Sequence, residues 1–555
     1  MDKQLGQTLL LVLLLCQIGT SDWQNVCPYK CQCFTPLQVL CAEERMSSFP
    51  RNISRQVREV IIMTSSLSYL FSHSLMESPQ LTRLIFLNNA LRSIHLNAFE
   101  HLTELQELEL SGNPPLDHLL PGTFSKQEKL TKLLLNYNSF KTVRPGMFDS
   151  LKQLEVLQMK SNVLSDLPPF LFQNLSSLRI LDLSQNKLQN VTGETFSGLA
   201  SLEILKLSNN LLSNLTCDTF HNLSHLTELH LEWEILKLNN NLFSNLTSDM
   251  FHNLTQLTEL HLEWNRIAHL DDGIFSMLTN LSVLNLQGNL LTSFSDKAIG
   301  SEPTNLRVLN LKGNRLTELS FLRNLSSLTD LMLSGNQLSS ITDNLFRRLT
   351  ALENLDLSDN QLTSLPEGIF KNLLSIKVIN LHNNNLTEKD AKLFEDQIFV
   401  ERLYLSDNKL ETLPLGLLDH FITQHTVRLH GNPWRCDCQL WYLHDWLLDN
   451  GQNVEMLDMM ACESPYFLRK RTVVSIHRDQ LVCHLPEDQT PDLNSCSLQI
   501  ANNTMIIKCK VEKCSPATVK VLVQEENGGV REHILKNASA NSQCRNDSLK
   551  EGTID

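Results

Sequence analysis

The sequence predicts an α/β-type repeat solenoid: a horseshoe in which short parallel strands form a concave sheet, with disulfide caps at both ends and a small C-terminal β module. Three observations predict this fold. Leucines and an asparagine recur with a period of about 24 over residues 57–431. Cysteines cluster before and after these repeats. The segment beyond the second cluster, residues 485–555, contains runs rich in β-branched residues.

The repeated motif is L-x-x-L-x-L-x-x-N-x-L, as in the stretch from Leu352 to Leu362. The leucines of L-x-L point inward from one short strand, because side chains of a strand alternate between its two faces. The asparagine amide can pair with backbone groups of adjacent coils that would otherwise be buried unpaired. Motif and period are those of leucine-rich repeats, about 15 to 16 of them. The motif asparagines are Asn89, Asn113, Asn138, Asn162, Asn186, Asn210, Asn241, Asn265, Asn289, Asn314, Asn336, Asn360, Asn384, Asn408 and Asn432.

A phenylalanine follows many of these asparagines and is predicted to fill the core beneath the convex side. One coil cannot bury its own apolar face, so the array depends on its neighbours and needs capped ends. The phenylalanines are Phe99, Phe124, Phe148, Phe172, Phe196, Phe220, Phe251, Phe275, Phe346 and Phe370.

Residues 1–21 have the pattern of a secretory signal peptide. An apolar run from Leu9 to Cys16 precedes small or polar residues. A buried strand is the alternative, but no turn or amphipathic pattern surrounds the run. No later stretch approaches the roughly 20 apolar residues of a membrane-spanning helix. We therefore expect a secreted, extracellular chain without membrane insertion.

Cysteines mark a cap on each side of the repeats, in residues 22–56 and 432–484. Clustered cysteines in a secreted chain predict disulfides, and no pair of histidines completes a zinc site at finger spacing. Within each set of four, the sequence leaves three pairings open. The first set is Cys27, Cys31, Cys33 and Cys41, and the second is Cys436, Cys438, Cys462 and Cys483.

The tail, residues 485–555, is predicted to be a small disulfide-bonded module of strands. Residues 503–511 and 518–524 are rich in β-branched side chains. Its cysteines are Cys496, Cys509, Cys514 and Cys544, whose pairing the sequence leaves open.

A near-duplication interrupts the regular period. Residues 204–233 recur almost unchanged as residues 235–264, an offset of 31 in place of about 24. We expect a local bulge or loop within residues 226–242; an error in the gene model is the alternative. Cys217 becomes Ser248 in the second copy, which predicts an unpaired thiol at Cys217.

The net charge and the glycosylation motifs limit the kinds of partner that the chain is expected to bind. The net charge is −14 and no dense Lys/Arg stripe occurs, so nucleic acid is not an expected partner. Thirteen Asn-x-Ser/Thr triplets behind a signal peptide predict a glycoprotein. They begin at Asn52, Asn174, Asn190, Asn214, Asn222, Asn245, Asn253, Asn280, Asn324, Asn385, Asn502, Asn537 and Asn546.

No constellation for catalysis, metal or cofactor binding is evident. The sequence has no phosphate-binding glycine loop, no G-x-S-x-G and no H-E-x-x-H. Two H-x-x-E pairs, His101/Glu104 and His225/Glu228, fall in variable slots of the repeat. Carboxylates at outward strand positions are expected to form a solvated face; these are Asp182, Asp356 and Asp359. We expect a non-catalytic chain without a cofactor.

The repeats instead predict a long concave surface of outward strand residues, which is suited to binding proteins. Aromatic, histidine and arginine side chains on it are candidate contact residues. The candidates are Tyr137, His230, Trp233, His261, Trp264, Arg402 and Tyr404.

Taken together, these features resemble the non-catalytic large subunits of carboxypeptidase N, leucine-rich-repeat glycoproteins of plasma. The resemblance covers nearly the whole mature chain. It is carried by Cys27-Pro28-x-x-Cys31-x-Cys33, by Asn432-Pro433-Trp434-x-Cys436-x-Cys438, and by the spacing of the tail cysteines. It implies the disulfides Cys27–Cys33, Cys31–Cys41, Cys436–Cys462 and Cys438–Cys483.

The resemblance also implies a partner: the catalytic subunit of carboxypeptidase N, a zinc enzyme that trims C-terminal Lys or Arg from peptides, held in a hetero-oligomer. This chain would supply neither zinc ligands nor a catalytic base. The duplicated segment 204–264 departs from the family pattern. Two alternatives stay open: a secreted ligand-binding or inhibitor protein similar to leucine-rich alpha-2-glycoprotein or to snake-type phospholipase inhibitors, and a receptor ectodomain.

Overall fold

In a computed structural model of the chain, the described residues are 27–213, 215, 218–220, 223, 235–252, 254–300, 304–319, 321–387, 391–422, 424–483, 497–501, 504–511, 519–524, 530–535 and 552–554. They divide into two compact units. The first unit comprises Met1–Asn408 with Gly416–Arg428, and the second Lys409–Leu415 with Leu429–Asp555. The predicted signal peptide lies outside the described residues.

Short strands, most of them three residues long, dominate the first unit. They are β1 (Gln32–Thr35), β2 (Gln38–Cys41), β3 (Glu59–Met63), β4 (Tyr69–Leu70), β5 (Arg83–Leu87), β6 (Ser93–Ile94), β7 (Glu107–Ser111), β8 (Lys132–Leu134), β9 (Val156–Gln158), β10 (Ile180–Asp182), β11 (Ile204–Lys206), β12 (Ile235–Lys237), β13 (Asn245–Leu246), β14 (Glu259–His261), β15 (His269–Leu270), β16 (Val283–Asn285), β17 (Val308–Asn310), β18 (Asp330–Met332), β19 (Asn354–Asp356), β20 (Val378–Asn380), β21 (Arg402–Tyr404) and β22 (Thr426–Arg428).

These strands form one long parallel sheet, called here the main sheet, apart from two side pairs, β4 with β6 and β13 with β15. Only β1 runs antiparallel, against β2. From β2 onward each strand pairs in parallel with the strand of the next coil, so equivalent residues align. Leu157, Leu181 and Leu205, for example, stand side by side and are fully buried. The predicted solenoid of leucine-rich repeats is confirmed.

The motif asparagines bind neighbouring coils together. The Asn360 amide donates to the carbonyl oxygens of Leu333 (3.0 Å) and Leu357 (3.1 Å). The Leu338 backbone N–H donates to Asn360 Oδ1 at 3.1 Å. All fifteen motif asparagines are buried. Backbone groups that a strand of three residues leaves unpaired are thereby satisfied.

A second ladder, of phenylalanines, fills the core opposite the sheet. All ten phenylalanines singled out in the sequence are buried. Consecutive rings stack, with centroids 6.2 Å apart for Phe99 and Phe124 and 6.1 Å apart for Phe148 and Phe172. Their burial supplies apolar area that a single coil could not bury.

The near-duplication leaves the main sheet in register. β11 pairs directly with β12, Ile204 opposite Ile235, although 31 residues separate the two positions. No other strand lies between β11 and β12 in the main sheet. The bulge or loop is expected within residues 226–242, and residues 226–234 of this range lie outside the described residues, as do Cys217 and the pair His225/Glu228.

Two short helical turns lie late in the first unit. Helix α1 (Asp296–Ile299) begins after Ser295, whose hydroxyl accepts from the Lys297 N–H. A 3-10 turn spans Phe321–Asn324. At the start of the unit, disulfides join Cys27 to Cys33 and Cys31 to Cys41, the pairs implied by the resemblance.

The second unit contains helix α2 (Trp441–Asn450) and several short elements. Disulfides join Cys436 to Cys462 and Cys438 to Cys483, again the implied pairs. The strands are β23 (Trp434–Arg435), β24 (Val454–Glu455), β25 (Cys462–Ser464), β26 (Ser497–Ala501), β27 (Thr504–Val511), β28 (Val519–Gln524), β29 (Val530–Leu535) and β30 (Gly552–Ile554). The 3-10 turns are Cys438–Leu440, Gly451–Asn453, Leu457–Met459, Tyr466–Leu468, Val473–Ser475 and Arg478–Gln480.

In the tail, β27 and β28 coincide with the two segments predicted as strands. β26 and β27 form an antiparallel hairpin, and β28 and β29 form another. Cys509 lies on β27, whereas Cys496, Cys514 and Cys544 lie outside the described residues.

Candidate binding surface

The outward side of the main sheet, called here the sheet face, is built from two rows of side chains. In most of the three-residue strands the central residue is buried, and the first and third residues are partly exposed. Parallel pairing aligns first residues with first residues and third with third from coil to coil. Successive side chains in a row are therefore about 4.8 Å apart, the spacing of neighbouring strands.

Ion pairs within the chain occupy the early part of the first row. Arg83 lies between two carboxylates, with Nη1 2.5 Å from Glu59 Oε1 and Nε 2.8 Å from Glu107 Oε2. Lys132 Nζ lies 2.7 Å from Glu107 Oε1. Burial raises the pKa of Glu109, on the same face, although a hydrogen bond to Ser111 opposes the shift. Each charge in this stretch already has a partner, which leaves little to attract a ligand.

The row becomes apolar on the next three strands. Val156, Ile180 and Ile204 occupy equivalent positions on β9, β10 and β11, and each is half-buried. β-branched side chains lose little conformational freedom when a partner covers them. They form an apolar strip in the middle of the sheet face.

A histidine between two glutamates follows on β14. His261 Nε2 lies 3.2 Å from Glu259 Oε2, and His261 Nδ1 lies 3.6 Å from Glu263 Oε2. Burial lowers the pKa of His261, but the hydrogen bonds and charge of the two glutamates outweigh burial and the repulsion of Lys237, so the pKa is raised overall. Both ring nitrogens face carboxylates, an arrangement that favours the imidazolium form.

Trp264 has a backbone conformation that is rare for a large side chain. Its φ is +58°, in the left-handed region, and 55% of the residue is exposed. The indole ring lies against Gly288: a Cβ added there would stand 2.4 Å from Trp264 Cε3. A bulky residue in this region costs on the order of 1–3 kcal/mol, and such strain clusters at functional sites.

An aromatic and arginine cluster lies near the end of the sheet face. Arg402 and Tyr404 are the first and third residues of β21, and Arg428 stands beside Tyr404 on β22. The Arg428 guanidinium carbon lies 4.3 Å from the centroid of the Tyr404 ring, in a cation–π contact. Sequence reasoning missed Arg428. The 24-residue spacing from Tyr404 would have indicated it.

The structure does not gather the seven candidate contact residues into one patch. His230 and Trp233 lie outside the described residues. His261 and Trp264 share one coil, and Arg402 and Tyr404 share another. Tyr137 lies on a coil five strands, about 24 Å, before that of Trp264.

The prediction that Tyr137 and Trp264 are outward strand residues is wrong. Each follows its strand and has a positive φ, +57° and +58°, just before a motif asparagine. The chain turns away from the sheet at this point, so these side chains line the edge of the sheet face. Tyr137 is 45% exposed, and Lys160 Nζ lies 5.8 Å from its ring centroid.

The expected solvated carboxylate at Asp182 is also wrong. Asp182 is buried and accepts hydrogen bonds from the backbone N–H and hydroxyl of Ser184, at 3.0 and 2.5 Å. A buried carboxylate needs such donors to offset its lost hydration. Asp356 accepts from Ser358 in the same way but is partly exposed, and Asp359 is exposed.

Among the described residues, no three His, Cys, Asp or Glu side chains are placed to hold a metal ion. Glu104, of the H-x-x-E pair with His101, is paired with Lys129 at 2.7 Å.

The Asn-x-Ser/Thr triplets whose asparagines the structure describes lie away from the sheet face. Of the thirteen asparagines, seven have a described backbone, and none of these seven lies on a strand of the main sheet. Asn52, Asn190, Asn245 and Asn385 are exposed, and Asn174 and Asn280 are partly exposed. Asn214, Asn222, Asn253, Asn502, Asn537 and Asn546 lie outside the described residues, and for Asn324 only the backbone is described.

Comparison with known proteins agrees with this geometry. The sequence profile described as Leucine rich repeat matches residues 55–114, 128–188, 176–234, 255–316, 304–362 and 350–410, more than half of the chain. The chain belongs to the leucine-rich repeat family. Such repeats present extended surfaces that bind proteins.

Several leucine-rich repeat relatives match part of the chain. Reticulon-4 receptor-like 2 of Rattus norvegicus is 32% identical over 124 residues, which cover 22% of this chain and 29% of the relative. Carboxypeptidase N subunit 2 of Homo sapiens is 32% identical over 140 residues, covering 20% and 25%. Trophoblast glycoprotein of Macaca fascicularis is 30% identical over 122 residues, covering 20% and 29%. The match thus spans less than a third of the length of each relative.

Solved leucine-rich repeat structures share the fold. A chain of the Toll–Spatzle complex of Drosophila has a TM-score of 0.65 at 20% identity, covering 85% of this chain and 75% of its own. A chain of the TLR13–ssRNA13 complex has a TM-score of 0.62 at 23% identity, covering 77% and 65%. Among the described residues, no helix has the length and apolar character needed to cross a membrane.

Proposed function

We propose that this leucine-rich repeat protein is a secreted, extracellular glycoprotein that binds another protein through its sheet face and has no catalytic activity of its own. The observation that carries the proposal is the contrast between faces. The sheet face exposes aliphatic, aromatic and arginine side chains, whereas the seven glycosylation asparagines that the structure describes lie off its strands. Glycans on the other faces would leave this surface open to a protein partner.

The finer proposal is that the partner is a zinc carboxypeptidase, the catalytic subunit of carboxypeptidase N, which this chain stabilises in a hetero-oligomer. The flanking cysteine motifs and the tail support it, together with the 32% identity to human Carboxypeptidase N subunit 2 over part of the chain. On this proposal the repeats supply the contact surface, and the partner supplies the zinc.

The test is a pull-down from plasma with the tagged, secreted chain, followed by an assay of cleavage of C-terminal lysine, with and without a zinc chelator. We expect chelator-sensitive cleavage in the captured complex and none in the purified chain. A capture that contains other proteins but no carboxypeptidase would overturn the finer proposal alone.

Two matched variants test the face itself. Ile180→Glu places a charge in the apolar strip, and Leu211→Glu places one on an exposed leucine that follows a motif asparagine, away from the sheet face. We expect Ile180→Glu to reduce capture at least about 10-fold, since a desolvated charge in an interface costs more than about 1.4 kcal/mol. Leu211→Glu should capture as the wild type does. Equal capture by all three proteins would contradict binding through the sheet face.

A further inference from the structure

The first row of the sheet face contains three basic residues on described strands: Arg83, Lys132 and Arg402. Arg83 and Lys132 point at carboxylates of the neighbouring strands, Glu59 and Glu107, at 2.5 to 2.8 Å. The row thus shows what a cation at this position pairs with: a carboxylate one strand away.

Arg402 has no such partner. Its neighbours in the row are Val378 on β20 and Thr426 on β22, neither of which is acidic. Arg402 is exposed, and it forms no ion pair with any residue that the structure describes. A planar guanidinium that is exposed and unpaired can take a carboxylate through two parallel hydrogen bonds.

The surroundings of Arg402 suit a bound partner. Tyr404 is two residues further along the same strand, on the same face, and carries the Arg428 guanidinium against its ring at 4.3 Å. The stacking fixes both side chains before binding, so little conformational entropy is lost when they are covered. Arginine and tyrosine are also the residue types enriched in the energetic centres of protein interfaces.

We propose that Arg402, with the Tyr404–Arg428 pair beside it, is the contact site for an acidic segment of the partner protein, whose carboxylate takes the place that Glu59 and Glu107 hold beside Arg83. The proposal rests on the proposed function of the sheet face and adds the charge of what it binds. The chain has a net charge of −14 and as a whole repels an acidic segment. A cationic site therefore determines where such a segment docks as well as how tightly it binds.

The experiment measures fluorescence anisotropy of a labelled six-residue peptide containing four glutamates, and of its glutamine counterpart, with the full secreted chain. We expect the wild type to bind the glutamate peptide more tightly than the glutamine peptide. Arg402→Gln should weaken binding of the glutamate peptide about 10-fold, to the level of the glutamine peptide. Arg402→Lys should fall between the two, because an ammonium cannot form the paired hydrogen bonds.

A second variant keeps Arg402 but gives it a carboxylate within the chain to pair with. Thr426→Glu places a carboxylate beside Arg402 in the row, as Glu107 lies beside Arg83, and should weaken peptide binding as much as Arg402→Gln does. Arg315→Gln, an exposed arginine that follows a motif asparagine, is the control and should bind as the wild type does. Melting temperatures of all variants check that the fold is kept.

Equal affinity for the two peptides, or unchanged affinity in Arg402→Gln and Thr426→Glu, would overturn the inference. The same variants in the plasma pull-down separate it from the proposed function. Capture of a carboxypeptidase by the wild type and by Arg402→Gln alike would leave the proposed function standing and remove the acidic contact. Peptide selectivity without capture of a carboxypeptidase would leave the acidic contact standing and remove that partner.

Discussion

At the residue scale, the fold depends on single side chains that form buried hydrogen bonds to the backbone. Asn360 alone satisfies one backbone N–H and the carbonyl groups of Leu333 and Leu357, and the other motif asparagines are buried in the equivalent position. Leaving such groups unpaired costs about 1–3 kcal/mol each. The asparagine is therefore required at each coil, and the sequence could predict its role from position alone.

His261 belongs to the same scale, but its role depends on protonation. Its pKa is raised in the folded chain because the carboxylates of Glu263 and Glu259 outweigh its burial. The contribution of the imidazolium to stability is therefore complete below the unfolded pKa of about 6.5, and it is lost as the pH rises through the folded value.

We predict that His261→Gln lowers the free energy of unfolding at pH 5.5 and that this difference shrinks as the pH rises to 8.5. Chemical denaturation of wild type and variant across this range measures the difference. His269→Gln is the comparison variant, at an exposed histidine whose side chain is 75% accessible and lies 4.0 Å from Asp271 Oδ1. Parallel stability curves for wild type and His261→Gln would show that the histidine lies free of the glutamates.

At the scale of the element, the turn after each strand determines where the side chains between the strand and the motif asparagine are placed. The residue before the motif asparagine has a positive φ at coil after coil, and glycine occupies this position at Gly288, Gly313 and Gly335. The alternation of the strand predicted which leucines are buried, yet it says nothing about this turn. Alternation alone therefore places Tyr137 and Trp264 on strands, whereas β8 ends at Leu134 and β14 at His261. The frequency of glycine and asparagine at this one position was the signal for left-handed backbone.

Substitutions at Gly288 and Gly313 test whether the Trp264 ring packs against Gly288. Both glycines have nearly the same φ, +66° and +65°, so an alanine at either position meets the same backbone strain, about 1–2 kcal/mol. At Gly313 the nearest atom to an added Cβ is 3.7 Å away, whereas at Gly288 it is Trp264 Cε3 at 2.4 Å.

We predict that Gly288→Ala destabilises the chain by about 1–2 kcal/mol more than Gly313→Ala, because the indole ring must move. In a Trp264→Ala background the two substitutions should cost the same. Denaturation of the single and double variants gives the coupling energy, and tryptophan fluorescence reports displacement of the ring. Absence of coupling between positions 264 and 288 would contradict the contact.

At the scale of the whole molecule, the period of the sequence determined the family and the order of the coils, and the structure agrees with both. The partner was harder to predict, because it depends on which side chains of different coils stand beside each other. Arg83 and Arg402 occupy equivalent motif positions, but the 24-residue spacing, which the strand register follows here, places two glutamates beside the first and none beside the second. Similarly, Asp182 looked like a solvated carboxylate until its serine donors were seen.

The near-duplication gives a prediction for the solenoid as a whole. Removing residues 204–234 joins Glu203 to Ile235, so that Ile235 follows Ile180 by 24 residues, the ordinary period. Because β12 already stacks in register on β11, it should stack equally well on β10. The asparagine and phenylalanine ladders should close across the junction, since Asn241 and Phe251 stand where Asn210 and Phe220 stood.

We therefore expect the shortened chain to be secreted and to melt within about 2 °C of the wild type, because the deletion removes one whole coil from a long array and leaves equivalent coil-to-coil contacts at the new junction. Removing residues 208–234 is the matched control: it places Ile235 directly after Leu207, leaves no chain for a coil between two strands, and should prevent secretion. The secreted yield compares the two deletions, and circular dichroism melting curves measure the stability of the protein that is secreted. If removal of residues 204–234 lowered the melting temperature by 10 °C or more, the 31-residue coil would have to stabilise its neighbours in a way that a regular coil cannot.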